Sequence, residues 1–202
     1  MEKKIIKVPI EVSARHLHIT AEDFNFLFEK KEPSFLKKLG QNQFAAKETV
    51  ELINKQKSIK KVRVVAPFRD KTQVEISVTD AINLGIKPVI RISGSLKNTP
   101  AIEIKSPRGK LRIKEGVIVA QRHLHLNSNE AKKLGLKNKD IISVLAKGKR
   151  SVLFNNVVVR VSSQYNLCVH LDSDEGNAAG IFKKGTGYLI YYCLKYPRKS
   201  AF

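Results

Sequence analysis

The chain has 202 residues, enough for one sizeable core or two small ones, and its 42% hydrophobic and 28% charged residues are typical of a globular protein. No apolar run approaches the roughly 18 residues of a membrane helix, and residues 1–7 lack the apolar centre of a signal peptide. Two cysteines, Cys168 and Cys193, are too few for a disulfide framework, so we expect a cytoplasmic protein without a membrane partner.

The chain has 38 Lys and Arg residues against 18 Asp and Glu, which gives a net charge of +20. A charge of this size raises the question of nucleic-acid binding. The basic residues are spread along the chain, and aromatic residues do not interleave with them regularly. A solvated basic surface, or attraction of a polyanionic small substrate, accounts for this charge. We therefore expect no nucleic-acid partner; a basic nucleic-acid-binding protein with structural zinc is kept as an alternative.

The sequence contains an internal repeat, and its first copy lies near the N-terminus. The segment 12–20 contains Arg-His-Leu-His at residues 15–18, and the segment 119–127 contains the same four residues at 122–125. Each copy predicts a strand that carries the motif and then a helix. Thr20 is the expected N-cap of the first helix, Asn127 or Ser128 that of the second, and Gly135 is expected to end the second.

Short strands dominate the rest of the chain. Alternating or continuous apolar residues predict strands at 61–65, 73–78, 141–145 and 156–161. With only a few short helices between them, this pattern favours a mainly β fold. We expect two related small β-barrel domains, residues 1–115 and 116–202, divided near residues 112–118.

The histidines carry the strongest chemical signal. Of the five in the chain, four are His16, His18, His123 and His125 in the two motifs, and the fifth is His170. In a strand, residues i and i+2 face the same side, so each pair can converge on one metal ion, whereas a helix would separate them by about 200°. Two pairs in corresponding positions predict two metal sites. Zinc is the expected ion, although another divalent metal could serve.

A pair of imidazoles needs a third ligand to complete a catalytic site. Two candidates stand between apolar neighbours in predicted strands: Glu75, between Val74 and Ile76, and His170. Taken alone, strand alternation favours a solvated glutamate at position 75.

Longer segments of the sequence resemble a known family. They include Pro67-Phe68-Arg69-Asp70-Lys71-Thr72-Gln73-Val74-Glu75, Arg91-Ile92-Ser93-Gly94-Ser95-Leu96 and His170-Leu171-Asp172-Ser173-Asp174-Glu175-Gly176-Asn177-Ala178-Ala179, in addition to both histidine motifs. On these residues the chain resembles the PduL-like phosphate acyltransferases, also called phosphate propanoyltransferases, over residues 8 to 193.

This resemblance implies two β-barrel domains with a dinuclear zinc active site between them. It implies reversible transfer of a short acyl group, acetyl or propanoyl, between coenzyme A and inorganic phosphate by direct attack. One zinc would be held by His16, His18 and Glu75 and leave a position for the coenzyme A sulfur. The other would be held by His123, His125 and His170, and Arg69 would position phosphate.

Other expectations are less specific. Arg15, Arg122 and Ser93 are candidate substrate-binding residues, with structural ion pairs or a turn as alternatives. The resemblance makes a homodimer reasonable.

Only seven residues precede Val8, where encapsulated family members usually carry an amphipathic extension, so encapsulation in a microcompartment is not expected. A dinuclear zinc thioesterase or phosphoesterase is the alternative enzyme class.

Overall fold

A computed structural model describes residues 2–40 and 42–193. In this part of the chain fifteen strands and four short helices form, which confirms the mainly β fold. The strands are β1 (Glu2–Ser13), β2 (His16–His18), β3 (Phe35–Lys38), β4 (Phe44–Asn54), β5 (Lys57–Ala66), β6 (Gln73–Glu75), β7 (Ile90–Arg91), β8 (Ile102–Lys105), β9 (Lys110–Ile113), β10 (Val117–Ala120), β11 (His123–Leu126), β12 (Ile141–Ala146), β13 (Val152–Val161), β14 (Cys168–Asp172) and β15 (Lys184–Cys193). The helices are α1 (Ala21–Phe28), α2 (Val78–Leu84), α3 (Ser128–Leu134) and α4 (Ser173–Ala179). Of these helices, none is both long and apolar enough to cross a membrane.

Capping residues set where the helices begin and end. Thr20 caps α1 by accepting a hydrogen bond from the backbone N–H of Asp23, and Asn127 forms a capping box with Glu130 at the start of α3. Gly135 ends α3 in the left-handed region, at a φ of 67°, where glycine has no steric penalty. These caps confirm the helix expected after each histidine-containing strand.

The strand expected over residues 73–78 is shorter than the alternating pattern indicates. It ends at Glu75, and Ser77 is the N-cap of α2. The Ser77 side chain accepts from the backbone N–H of Asp80, and the Asp80 carboxylate accepts from the backbone N–H of Ser77. This reciprocal capping box starts a helix where apolar alternation alone continues a strand.

One compact unit comprises residues 2–12, 122–171 and 175–193; we call it the barrel unit. Its strands close in the order β1-β14-β11-β13-β12-β15, with β15 pairing antiparallel to β1. Closure leaves no unpaired strand edge in the barrel. Its core contains fully buried side chains from the first and last strands, Ile10 and Leu189, together with Leu124 of β11 and Val144 of β12.

The second compact unit, which we call the sheet unit, comprises residues 13–121 and 172–174. Its strands form a curled sheet in the order β7-β10-β6-β2-β5-β4-β8-β9, with β3 paired to β4. Phe24 and Leu27 of α1 pack into its core with Leu17 of β2, Leu52 of β4 and Val74 of β6, and all five side chains are fully buried.

These units divide the chain at different positions from the expected boundary near residues 112–118. Residues 2–12 belong to the barrel unit although the whole sheet unit follows them in sequence. β10 pairs in parallel with β6 and β7 and so belongs to the sheet unit. The difference arises because an apolar alternation identifies a strand but not the strands with which it pairs.

The two histidine motifs occupy equivalent strands. In the sheet unit, β2 lies between β5, which is parallel to it, and β6, which is antiparallel. In the barrel unit, β11 lies between β13, which is parallel to it, and β14, which is antiparallel. The sequence repeat is therefore also a repeat of strand pairing within each unit.

Candidate metal centres

His16, His18 and Glu75 come together in the sheet unit, and we call them the sheet-unit centre. Because β2 is extended, its two histidines point to one face while Leu17 is buried on the other. Glu75 lies on β6 directly opposite His16. The ligand atoms of all three side chains lie within 4.8 Å of one another. A donor set of two imidazoles and a carboxylate is typical of catalytic zinc sites.

The distances in the sheet-unit centre fit a zinc ion. Nε2 of His16 lies 3.2 Å from Nε2 of His18, and the Glu75 oxygens lie 3.6 and 3.8 Å from these two atoms. Zinc bonds of about 2.0–2.2 Å place tetrahedral ligands about 3.3–3.6 Å apart. Nδ1 of His16 lies 2.9 Å from the Ala14 carbonyl oxygen, and donation to that oxygen leaves Nε2 available as a ligand.

The electrostatic surroundings favour the ligand forms of these side chains. Burial, together with the charges of His16 and Arg69, holds the pKa of His18 well below its ordinary value, which favours the neutral ring. Burial opposes ionisation of Glu75, but both histidines and a hydrogen bond from Ser93 lower its pKa below the usual range. A neutral imidazole and an ionised carboxylate are the forms that bind zinc.

A group of hydrogen bonds supports Glu75. Gln73, buried on β6, donates to Oε1 of Glu75 at 2.5 Å and to Oγ of Ser93 at 2.9 Å. It accepts from the backbone N–H of Gly94 at 2.7 Å. Oγ of Ser93 donates to Oε1 of Glu75 at 2.8 Å and accepts from Nη1 of Arg69 at 3.1 Å. These contacts connect Arg69 to the sheet-unit centre through one hydroxyl group.

His123, His125 and His170 form the corresponding cluster of the barrel unit, and we call them the barrel-unit centre. The first two lie on one face of β11 with Leu124 buried behind them, and His170 lies on β14 directly opposite His123. The ring centroids are 4.5 to 5.1 Å apart. The ligand nitrogens lie within 4.8 Å of one another. Three imidazoles with an open fourth position suit a catalytic zinc ion.

The surroundings of His125 also favour a neutral ligand. Burial, together with the charges of His123, His170 and Arg160, lowers the pKa of His125 far below its ordinary value. The ring of Tyr165 stacks on His125 with a centroid distance of 3.8 Å, which restricts the orientation of the imidazole. The position of Tyr165 was not predicted, because it lies between β13 and β14, where no periodic pattern shows which side chain turns inward.

The third residue of each centre occupies an equivalent position. Glu75 is the register partner of His16 and His170 is the register partner of His123, in each case on the strand antiparallel to the motif. Each unit therefore repeats one arrangement, in which one strand supplies two histidines and its antiparallel neighbour supplies the third side chain. This equivalence distinguishes Glu75 from an ordinary solvated glutamate, which strand alternation alone could not do.

Known proteins are similar to this chain over most of its length. A family model described as phosphate propanoyltransferase matches residues 9–182. A phosphate propanoyltransferase of Thermotoga maritima is 44% identical over 185 residues, which cover 90% of this chain and 87% of that protein. One of Salmonella typhimurium is 45% identical over 175 residues, which cover 86% of this chain and 83% of that protein.

The chain belongs to the phosphate propanoyltransferase family. It is therefore an acyltransferase, as the resemblance of its motifs implied.

Within this member of the family, both arginines that precede the histidine pairs contact carboxylates. Nε and Nη2 of Arg15 lie 2.8 and 2.7 Å from the two carboxylate oxygens of Asp80. Nη1 of Arg122 lies 3.2 Å from Oε1 of Glu175. Each arginine thus has an ion-pair partner within its own unit, and substrate binding by Arg15 and Arg122 stays a prediction.

A second repeated segment, not predicted from the sequence, explains the two ion pairs. Asp80 stands five residues after Glu75, and Glu175 stands five residues after His170. Each acidic residue lies in the helix that follows the ligand strand, α2 or α4. In the sequence this repeat corresponds to Val-Glu-Ile-Ser at 74–77 and Val-His-Leu-Asp at 169–172. Only the valine is identical in the two segments, so their similarity is apparent only once both are seen to pair with the histidine strands.

Arg69 and Ser93, the other predicted site residues, both lie in the sheet unit. Arg69 donates to the Ser93 hydroxyl, which itself donates to Glu75, and these contacts place Arg69 beside the sheet-unit centre. The hydroxyl of Ser93 is engaged by Arg69, Gln73 and Glu75. Gln73 could have been found from the sequence, because it stands two residues before Glu75 and so shares its strand face.

Proposed function

We propose that the chain catalyses reversible transfer of an acetyl or propanoyl group between coenzyme A and inorganic phosphate, with one zinc ion in each centre. The observation that carries this proposal is the equivalence of the two centres, each with two histidines and a third ligand at the same register position. The relatives are named phosphate propanoyltransferases, and this name supplies the reaction class. Another divalent ion with similar ligand preferences could replace zinc in either centre.

When bound, zinc supplies Lewis-acid stabilisation of the departing coenzyme A thiolate and of phosphate. His16, His18 and Glu75 would hold one ion, which would serve the coenzyme A sulfur; His123, His125 and His170 would hold the other, which would serve phosphate or water. In the chemical step, a phosphate oxygen forms a bond to the thioester carbonyl carbon, the carbon–sulfur bond breaks, and the thiolate leaves with the electron pair.

Arg69 binds phosphate in this proposal. Its planar guanidinium can donate to two phosphate oxygens at once and offsets the repulsion between phosphate and the phosphate groups of coenzyme A. The hydrogen bond between Nη1 of Arg69 and Oγ of Ser93, at 3.1 Å, orients the guanidinium. Because Ser93 shares this hydroxyl with Gln73 and Glu75, both of its lone pairs and its proton are in use, which favours direct attack by phosphate over an acyl-serine intermediate.

A coupled assay tests the proposal. Purified protein is mixed with propanoyl-CoA and phosphate, and free thiol and acyl phosphate are measured together, before and after metal chelation. We expect equal amounts of both products, loss of turnover with chelator and recovery with added zinc. His16→Ala and His123→Ala should each abolish most turnover, because each removes a ligand from a different centre.

The same assay separates the alternatives. Thiol without acyl phosphate would identify a thioesterase and overturn the transfer proposal. Turnover that survives both chelation and the two histidine substitutions would overturn the role of zinc. Ping-pong kinetics, or an acyl-enzyme trapped in the absence of phosphate, would contradict direct attack.

A further inference from the structure

A second group of potential metal ligands lies beside the barrel-unit centre. Glu11 is on β1, and Cys168 and His170 are on β14, the neighbouring strand in the barrel. Their ligand atoms all lie within 4.8 Å of one another. Cys168 and His170 face the same side of β14, as do their register partners His125 and His123 on β11. Five potential ligands thus lie together across three adjacent strands.

We propose that Glu11, Cys168 and His170 form a separate site for a thiophilic divalent cation, such as Cd²⁺ or excess Zn²⁺. Thiolate, imidazole and carboxylate are all ligands of such ions, and the sulfur selects against hard cations. Because His170 also belongs to the barrel-unit centre, a cation in this second site withdraws a ligand from that centre and inhibits acyl transfer. The inhibition rests on the proposed function, whereas the cation site itself does not.

Two contacts determine which cations can enter. Cys168 lies within 4.8 Å of the ligand atoms of Glu11 and His170, and binding replaces its S–H bond with a sulfur–metal bond and releases the proton to solvent. Lys184 Nζ lies 3.0 Å from Oε1 of Glu11, but the lysine side chain is 81% exposed, and a solvated ion pair of this kind is readily exchanged. Mg²⁺ gains little from sulfur, so the site is selective for thiophilic ions.

Cadmium absorption tests the site directly. The zinc-loaded protein is titrated with CdCl₂, and the near-ultraviolet charge-transfer absorption of a thiolate–cadmium bond is recorded. Cys193→Ser is the matched control, because it makes the same change at the other cysteine of the chain. We expect the absorption in the unaltered protein and in Cys193→Ser, and its loss in Cys168→Ser. Absorption that persists in Cys168→Ser, or that is missing from the unaltered protein, would overturn the site.

Activity measured in the same titration tests the sharing of His170. Removing a residue that only hydrogen-bonds to a metal ligand changes metal affinity by roughly 10- to 100-fold. Removing a ligand itself should have at least this effect. We therefore expect Cys168→Ser to raise the Cd²⁺ concentration that halves activity by at least about tenfold. Each variant is compared with its own activity before cadmium. An unchanged concentration would overturn the shared ligand. A protein that shows the absorption but no acyl transfer supports this site while contradicting the proposed function.

Discussion

Arg69 is the side chain on which phosphate binding is expected to depend most. Lysine keeps the positive charge but loses the planar fork and the contact with Ser93. A hydrogen bond to a charged group contributes about 1.5–3 kcal/mol, so we predict that Arg69→Lys raises the KM for phosphate by roughly 10- to 100-fold. Steady-state kinetics with phosphate as the varied substrate, together with zinc analysis, measures this effect.

The matched control for this prediction is Arg108→Lys. Arg108 forms an ion pair with Glu29 in which both side chains are 63% exposed, and it is not among the residues of either centre. We expect its phosphate KM to stay at the unaltered value. Equal kinetic effects of the two substitutions, or a loss of zinc from Arg69→Lys, would contradict a direct contact between Arg69 and phosphate.

Gln73 is expected to control metal affinity through Glu75. Gln73→Met keeps the length of the side chain but removes its hydrogen bonds to Glu75, Ser93 and Gly94. Loss of hydrogen bonds to a metal ligand typically weakens metal binding by about 10- to 100-fold. We predict a similar decrease in the zinc affinity of the sheet-unit centre. Competition with a chromophoric chelator measures it. Gln164→Met, at an exposed position, should retain the unaltered affinity.

The site residues differ in how far the sequence could predict them. The histidine pairs could be read directly, because a spacing of two in a strand places both rings on one face. Glu75 and His170 were candidates from the sequence, because each stands between apolar neighbours and the family resemblance implied both, but local alternation does not encode their register opposite His16 and His123. Tyr165 depends on the path of a loop, so no sequence pattern indicated its contact with His125.

A buried carboxylate on β4 holds the loop between α1 and β3. Glu48 accepts hydrogen bonds from the backbone and hydroxyl groups of Ser34, at 3.0 and 2.7 Å, and from Nζ of Lys30 at 2.8 Å. Burial raises the pKa of Glu48, but these hydrogen bonds outweigh it and lower the pKa overall. Since the pKa is lower in the folded state, the stabilisation is present above the unfolded pKa and disappears as the pH falls through the folded one.

Glu48→Gln tests this connection between elements. We predict that it lowers the free energy of unfolding by about 1–3 kcal/mol at pH 7, because hydrogen bonds to an ionised group are lost. The difference should shrink below about pH 4, where the unfolded glutamate is protonated. Urea unfolding at both pH values measures it. Glu51→Gln on the same strand, where the carboxylate accepts from Ser58 on the exposed side, should change stability much less; equal losses would contradict the prediction.

The elements themselves were partly predictable. Helices α1 and α3 follow from capping residues that stand immediately after each motif, and the structure confirms both. The start of α2 was hidden, because Val74, Ile76 and Val78 continue an apolar alternation across the Ser77 cap. A local capping box therefore overrode the strand pattern.

At the scale of the whole molecule, the first strand completes a barrel made otherwise from the second half of the chain. We predict that Ile10→Ala, at a fully buried core position on β1, lowers the free energy of unfolding by about 2–5 kcal/mol. Ile5→Ala is the matched control on the same strand, because that side chain is 61% exposed, and it should cost less than about 0.5 kcal/mol. If urea unfolding shows that Ile10→Ala lowers the free energy of unfolding as little as Ile5→Ala does, β1 contributes little to the stability of the barrel.

This strand is also where prediction from the sequence reached its limit. The repeat at residues 12–20 and 119–127 correctly indicated two related β units. It carried no information about residues 2–12, whose partners β14 and β15 lie at the other end of the chain. Pairing over such a sequence separation depends on the tertiary fold and leaves no local signature.

The equivalence of Glu75 and His170 has an electronic consequence. With zinc in both centres, the ion and its three protein ligands would carry a net charge of about +1 in the sheet unit, where one ligand is a carboxylate, and about +2 in the barrel unit, where all three are neutral imidazoles. In that case the barrel-unit centre would attract an oxyanion more strongly, and the sheet-unit centre would release a bound anion more readily. The difference between Glu75 and His170 at equivalent register positions would thus give the two centres complementary reactivities.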